Sequence, residues 1–185
     1  MSETKPSAKQ ITQKRLMNVA LYYLGRYESS SENLRRLLKR KILRAQMKGA
    51  AIPAEANVWI ESVVKEVIRL GYVDDRRFAL SVTEKYGKAG KSQNYIRQKL
   101  AQAGISAELQ RDVLSETNVS AEGTELEAAL LLVKKKKLGS FRPEKDRPLF
   151  RKKDMAVLAR AGFSYQTAVK ALGESASEED ENVWD

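Results

Sequence analysis

Cysteine and histidine are both absent from this 185-residue chain. Without cysteine there can be no disulfide and no thiolate metal site. Without histidine the commonest general base and the commonest zinc ligand are missing. Most hydrolase and metalloenzyme mechanisms lose their residues at once, so the sequence nominates no catalytic residue, no metal ligand and no cofactor site. Long apolar runs are lacking too. The first residues are polar and lysine-bearing, with no core of signal-peptide length, and no later run can span a bilayer. The expectation is a cytoplasmic protein without membrane contact. Strand-like alternation is also absent, which leaves helices to build the core.

Positive charge is abundant. The chain holds 34 lysines and arginines against 24 acids, a formal net charge of +10. Six of those acids fall between Glu174 and Asp185, where there is no base. With those six set aside, 18 of the 24 acids face all 34 bases, and the charge of the body rises from +10 to +16. A body this basic predicts a polyanionic partner such as nucleic acid. The acidic end reads as a solvated or self-masking tail.

Helical periodicity runs from Thr12 onward. Leu16, Val19, Ala20, Tyr23, Leu24 and Tyr27 make one apolar face. Ser29 and Glu32 match a capping box for a second helix, with Leu34, Leu37, Leu38 and Ile42 on its inner side. Pro53 suits the first position of a third helix, whose stripe is Trp59, Ile60, Val63, Val64, Val67 and Leu70. Gly71 closes that helix, with Tyr72 as the apolar partner of the cap. Asp74 caps a fourth helix carrying Phe78, Val82 and Tyr86, and Asp75 adds negative charge at its positive end. Gly87–Lys91 reads as a loop. Ser92 and Ser106 cap a fifth and a sixth helix. Thr124 and Glu127 form a capping box for a seventh, with Leu126, Ala129, Leu130 and Val133 inward. A proline-bearing loop over 140–148 leads to an eighth helix from about Leu149, and Ser164 caps a ninth.

Leu100-Ala101-Gln102-Ala103-Gly104-Ile105-Ser106 matches Leu158-Ala159-Arg160-Ala161-Gly162-Phe163-Ser164 class for class. Both segments join a second helix to a third. Nine helices therefore group by threes, and such units bury their faces by stacking on neighbours. The predicted fold is all-α, three tandem three-helix repeats in an elongated, curved array. The expected divisions are a disordered tail over 1–12, repeats over 13–71, 72–119 and 120–173, and an acidic disordered tail over 174–185.

Two short motifs suggest chemistry and fail on context. Gly90-Lys91-Ser92 resembles the end of a phosphate-binding loop, but Lys85 stands where that loop needs glycine, and no strand precedes it. Gly87-Lys88-Ala89-Gly90 has KH-type spacing without KH strands. Asp74 and Asp75 could be paired carboxylates, but a helix start makes them capping residues.

The sharper feature is the basic side of the second helix. Arg36, Arg40 and Arg44 recur at four residues beside Arg35, Lys39 and Lys41, and no acid lies between Asn33 and Lys48. Solvated helix faces normally mix both signs, so this run points to a polyanion or an acidic protein groove. Arg76 and Arg77 extend the basic character, as do Lys134–Lys137 and Arg151–Lys153. Tyr22, Tyr95 and Tyr165 carry rings that can stack on bases, although core positions suit most of them.

These residues resemble a known family. Ala20–Leu24, Ser30, Leu34-Arg35 and Leu38 look like its opening pattern, with Asn33 where an acid is usual. Gly71-Tyr72-Val73-Asp74-Asp75-Arg76-Arg77-Phe78-Ala79 is close to its G-Y-[LIV]-D-D-x-x-F-A signature. Gly90, Ile96, Leu100, Gly104 and Ile105 fit its following pattern. Leu158–Phe163 looks like its last L-x-R-R-G-F element, with Ala161 in place of the second arginine. The family is RecX, the regulators of the RecA recombinase, and the resemblance covers roughly residues 20–172.

The resemblance implies a non-enzymatic modulator that lies in the groove of the RecA–DNA filament and inhibits ATPase, strand-exchange and co-protease activities. Arg35, Arg36, Lys39, Arg40, Arg76 and Arg77 are the expected contacts, chosen on charge and placement. The expected partners are the recombinase filament and single- or double-stranded DNA, met by a monomer. Two rival readings stay open. A basic helical protein acting on DNA directly would bind tightly without recombinase and lose affinity steeply with salt. A purely structural interaction module would have no DNA affinity.

Overall fold

The computed structural model describes residues 10–117 and 122–173. The acidic tail and most of the predicted N-terminal tail lie outside the described residues. Ile11, which the sequence reading leaves in that tail, is buried in the core. Among the described residues there are nine α-helices, two short 3-10 turns and no strand. They divide into two compact units. One holds the residues up to Phe78 together with Ala103–Ile105, and the other holds Ala79–Gln102 and the residues from Ser106 on.

The first unit is built from α1 (Gln13–Leu24), α2 (Ser31–Met47), α3 (Ala56–Arg69) and the start of α4 (Asp75–Lys88). Leu16, Ala20, Leu34, Leu38, Ile60, Val63, Val64, Val67 and Val73 form its core. Thr12 caps α1 by accepting from Arg15 N at 3.2 Å. Ser30, not Ser29, caps α2: its Oγ accepts from Asn33 N at 3.2 Å and donates to the Ala103 carbonyl at 2.6 Å. Only Ser29 has the box spacing to Glu32, but Ser30 finds the tertiary acceptor and becomes the cap. Pro53 lies three residues ahead of α3, its carbonyl accepting from Ala56 N at 3.1 Å, rather than opening the helix.

The turn after α3 is a left-handed glycine cap. Gly71 has φ +75°, its N–H reaches the Ile68 carbonyl, and Tyr72 N–H reaches the Val67 carbonyl, both at 2.9 Å. The apolar residue that closes the cap is Val73, 2% exposed, whereas Tyr72 and the expected stripe residue Leu70 both stay exposed. Asp74 then caps α4, its Oδ1 accepting from Arg76 N at 2.9 Å and Arg77 N at 3.0 Å.

The second unit contains the rest of α4, α5 (Gln93–Gln102), α6 (Ala107–Glu116), α7 (Glu122–Lys136), α8 (Arg147–Arg160) and α9 (Tyr165–Leu172). Helix α4 continues through Gly87 to Lys88, so the expected loop shrinks to the turn at Gly90, whose φ is +68°. Ser92, Ser106 and Ser164 cap their helices as expected. Helix α7 starts at Glu122, which places Thr124 inside the helix rather than at its cap. Ala129 and Val133 are buried as expected, and Leu132 is buried in place of the expected Leu130, because three consecutive leucines cannot share one side of a helix at 100° per residue.

The predicted loop over 140–148 is ordered around one carboxylate. Asp154, 2% exposed, accepts from Gly139 N at 2.9 Å and from the Arg142 guanidinium fork at 2.7 Å on each oxygen. The fork raises the pKa of Arg142. A buried carboxylate survives in a protein only when its oxygens are filled in this way.

Candidate nucleic-acid interface

Leu34 and Leu38 turn inward from α2, so Arg36, Lys39, Arg40 and Arg44 turn outward, and all four are exposed. The six nominated cations fall into two groups within the first unit. Four lie on α2 and two open α4.

Their side chains differ in availability. Arg35 bridges α2 and α3: it donates to both Glu61 oxygens at 2.8 and 3.1 Å and to Glu32 at 2.7 Å. Arg36 donates to the other Glu32 oxygen at 3.0 Å. Glu61 chiefly, then Glu32, raises the pKa of Arg35. The Arg35 hydrogen bond in turn holds the Glu32 carboxyl below its usual range, against a smaller opposing effect of burial and with help from Arg36. Lys39 and Arg40 form no ion pair among the described residues, which leaves their charge free for an incoming anion. Arg77 sits 3.6 Å from Glu28 and reaches the Gly71 carbonyl at 3.4 Å. The Arg76 and Arg77 backbone N–H groups are occupied by Asp74, so this helix start presents side-chain charge rather than a backbone anion site.

Sequence reasoning missed a groove of about 400 Å³ along α1 and α2, lined by Arg15, Asn18, Val19, Tyr22, Tyr23, Leu37 and Lys41. Tyr22 is 68% exposed there, with the Arg26 guanidinium 3.9 Å from its ring centroid. The available clue was an aromatic residue off the Leu16–Ala20 stripe. Tyr95 is half-buried, edge-on to Tyr86 at 5.2 Å, with Lys91 and Lys99 beside its ring, and Tyr165 packs on the core. No helix among the described residues is long and apolar enough to cross a membrane.

The described residues form an all-helical protein of the three-helix-repeat class, with a partly unpaired cationic face on α2. Its middle portion, residues 74–114, matches the family model described as RecX, second three-helix domain. The chain is 35% identical over 158 residues to the regulatory protein RecX of Myxococcus xanthus (strain DK1622), covering 85% of this chain and 83% of that one. It is 27% identical over 169 residues to the regulatory protein RecX of Agrobacterium fabrum (strain C58 / ATCC 33970), covering 91% and 87%. Its fold resembles the crystal structure of RecX from Lactobacillus salivarius, with a TM-score of 0.56 at 17% identity over 92% of this chain and 97% of that one. A second crystal structure of a regulatory protein RecX gives a TM-score of 0.61 at 22% identity, over 88% and 73%. The chain belongs to the RecX family of regulatory proteins.

Proposed function

We propose that this protein binds the filament a RecA recombinase forms on DNA and inhibits its ATPase, strand-exchange and co-protease activities, without chemistry of its own. It acts as a cytoplasmic monomer built of repeats over 13–71, 72–119 and 120–173. The observation that carries the reading is the outward face of α2, where Lys39 and Arg40 have no counter-ion among the described residues. Membership of the RecX family supports a regulatory role. In this reading Arg36, Lys39 and Arg40 meet DNA phosphates or acidic recombinase surface, and Arg76 and Arg77 add a second contact. Arg35 contributes from the flank, where its pair with Glu61 also ties α2 to α3.

The test reverses the two α2 charges that no acid pairs among the described residues. The double variant Lys39→Glu, Arg40→Glu should keep the wild-type melting temperature and weaken filament binding at matched salt. Its salt slope should fall by about 1–2, as expected when that many phosphate contacts are lost. Unchanged binding at every salt would remove α2 from the interface.

A further inference from the structure

The second unit carries an exposed apolar surface that the cationic face of α2 does not explain. Leu130, Leu131 and Phe141 line a concavity of about 510 Å³ with Glu127 and Lys134. A neighbouring groove of about 350 Å³ shares Leu131 and Lys134, and adds Lys88, Gly90 and Lys135. The two form one surface, aliphatic at its floor and mainly cationic at its rim. Leu131 is 62% exposed and Phe141 50%.

This surface is built rather than incidental. Phe141 ends the 3-10 turn Gly139–Phe141, and that turn is fixed by the Gly139 N–H on the buried Asp154 carboxylate. Arg142, the next residue, is locked to the same carboxylate. Gly139, at φ +49°, sits so close to Leu172 that a Cβ would lie 2.7 Å from its side chain. The ring of Phe141 is thus presented on a braced turn, beside two leucines that α7 leaves outside the core. An aromatic ring held in place before binding loses little conformational freedom on contact, and phenylalanine is enriched at protein interfaces.

We infer that Leu130, Leu131 and Phe141 form a docking surface for an acidic amphipathic helix or strand of a protein partner. Complementarity selects that chemistry. The floor is made by two leucines and one phenylalanine with no hydrogen-bonding side chain to read a base edge, and its mainly aliphatic area suits a leucine-like anchor. Lys134 and Lys135 at the rim call for carboxylates flanking that apolar anchor, whereas Lys88 is already paired with Glu84. Resting on the proposed function, the inference places the partner segment on the recombinase, while α2 takes the more anionic part of the filament.

The absence of cysteine permits a direct experiment, because Leu131→Cys introduces a unique thiol that can carry a benzophenone photocrosslinker. On irradiation with RecA and a single-stranded oligonucleotide, the labelled full-length protein should crosslink to the recombinase and not to the DNA. In parallel, Leu131→Ser and Phe141→Ser should raise the concentration for half-inhibition of RecA about tenfold, with free-DNA affinity unchanged within about twofold. Crosslinks to DNA alone, or variants that inhibit like wild type, would overturn the inference and leave the proposed function standing. A wild-type protein with no effect on RecA and no crosslink would overturn both.

Discussion

The Asp75 carboxylate caps a helix to which it does not belong. Its Oδ1 accepts from Ser31 N and its Oδ2 from Ser31 Oγ, each at 2.7 Å, at the first residue of α2. Its neighbour Asp74 caps α4 itself. The two adjacent acids therefore serve two helices, and the start of α4 is tied to the start of the cationic helix. Asp75→Ala should cost about 1–3 kcal/mol in urea unfolding, because it strands the Ser31 donors and removes a charge-assisted pair. Asp75→Asn keeps one acceptor and should recover part of that loss.

Two glycine turns predict a different kind of damage. The Ala103 carbonyl accepts from Ser30, and a Cβ on Gly104 (φ +78°) would fall 2.4 Å from Glu32 Cβ. In the second unit the Ala161 carbonyl accepts from Ser92 N at 3.2 Å, and a Cβ on Gly162 (φ +86°) would fall 2.5 Å from Ser92 Oγ. Gly71 has the same sign of φ (+75°) with nothing within 4 Å of a built Cβ. Gly71→Ala should therefore cost only the left-handed backbone term, about 1–2 kcal/mol. Gly104→Ala and Gly162→Ala should each cost more, and thermal melts of the three side by side measure the difference.

Much of this was legible in the sequence. Serine and aspartate caps, left-handed glycines and the 3.6-residue stripes are local chemistry, so the helices and the repeated Leu-Ala-x-Ala-Gly segment could be read directly. Tertiary choices were not legible. Ser30 wins over Ser29 because Ala103 offers an acceptor, and Val73 replaces Tyr72 because the core reaches the later residue. Nothing local announces that Asp154 organises residues 12 and 15 positions before it, or that Glu61 engages Arg35 from another helix. The cationic face could be read as a pattern, but the occupied and free charges within it could not.

Asp154 should be the most sensitive polar residue of the second unit. Arg142→Ala leaves a buried carboxylate with only the Gly139 N–H, and should cost about 3–5 kcal/mol. Asp154→Asn removes the charge as well and should cost less. Denaturant titration of both variants tests the order.

Glu32 competes with any incoming anion for Arg36. Glu32→Gln keeps the stem beside Gly104 and removes the charge, so affinity for a single-stranded oligonucleotide should rise about threefold at low salt. The pH dependence has a defined sign. The Glu32 pKa is lowered in the folded chain, so its stabilising contribution is fully present above the ordinary glutamate range and is lost as pH falls through the lowered value. In an acid titration the stability difference between wild type and Glu32→Gln should shrink as pH falls, while the losses from Glu66 and Glu84 are common to both.

The central claim is that the target is the recombinase filament rather than free DNA. The measurement is single-stranded-DNA-dependent ATP hydrolysis by RecA of the same organism, titrated with this protein at fixed salt, beside DNA binding by this protein alone. Inhibition should appear at concentrations well below those at which the free oligonucleotide is bound. Inhibition appearing only once the free DNA is already coated would contradict it and make the protein a competitor for the DNA lattice.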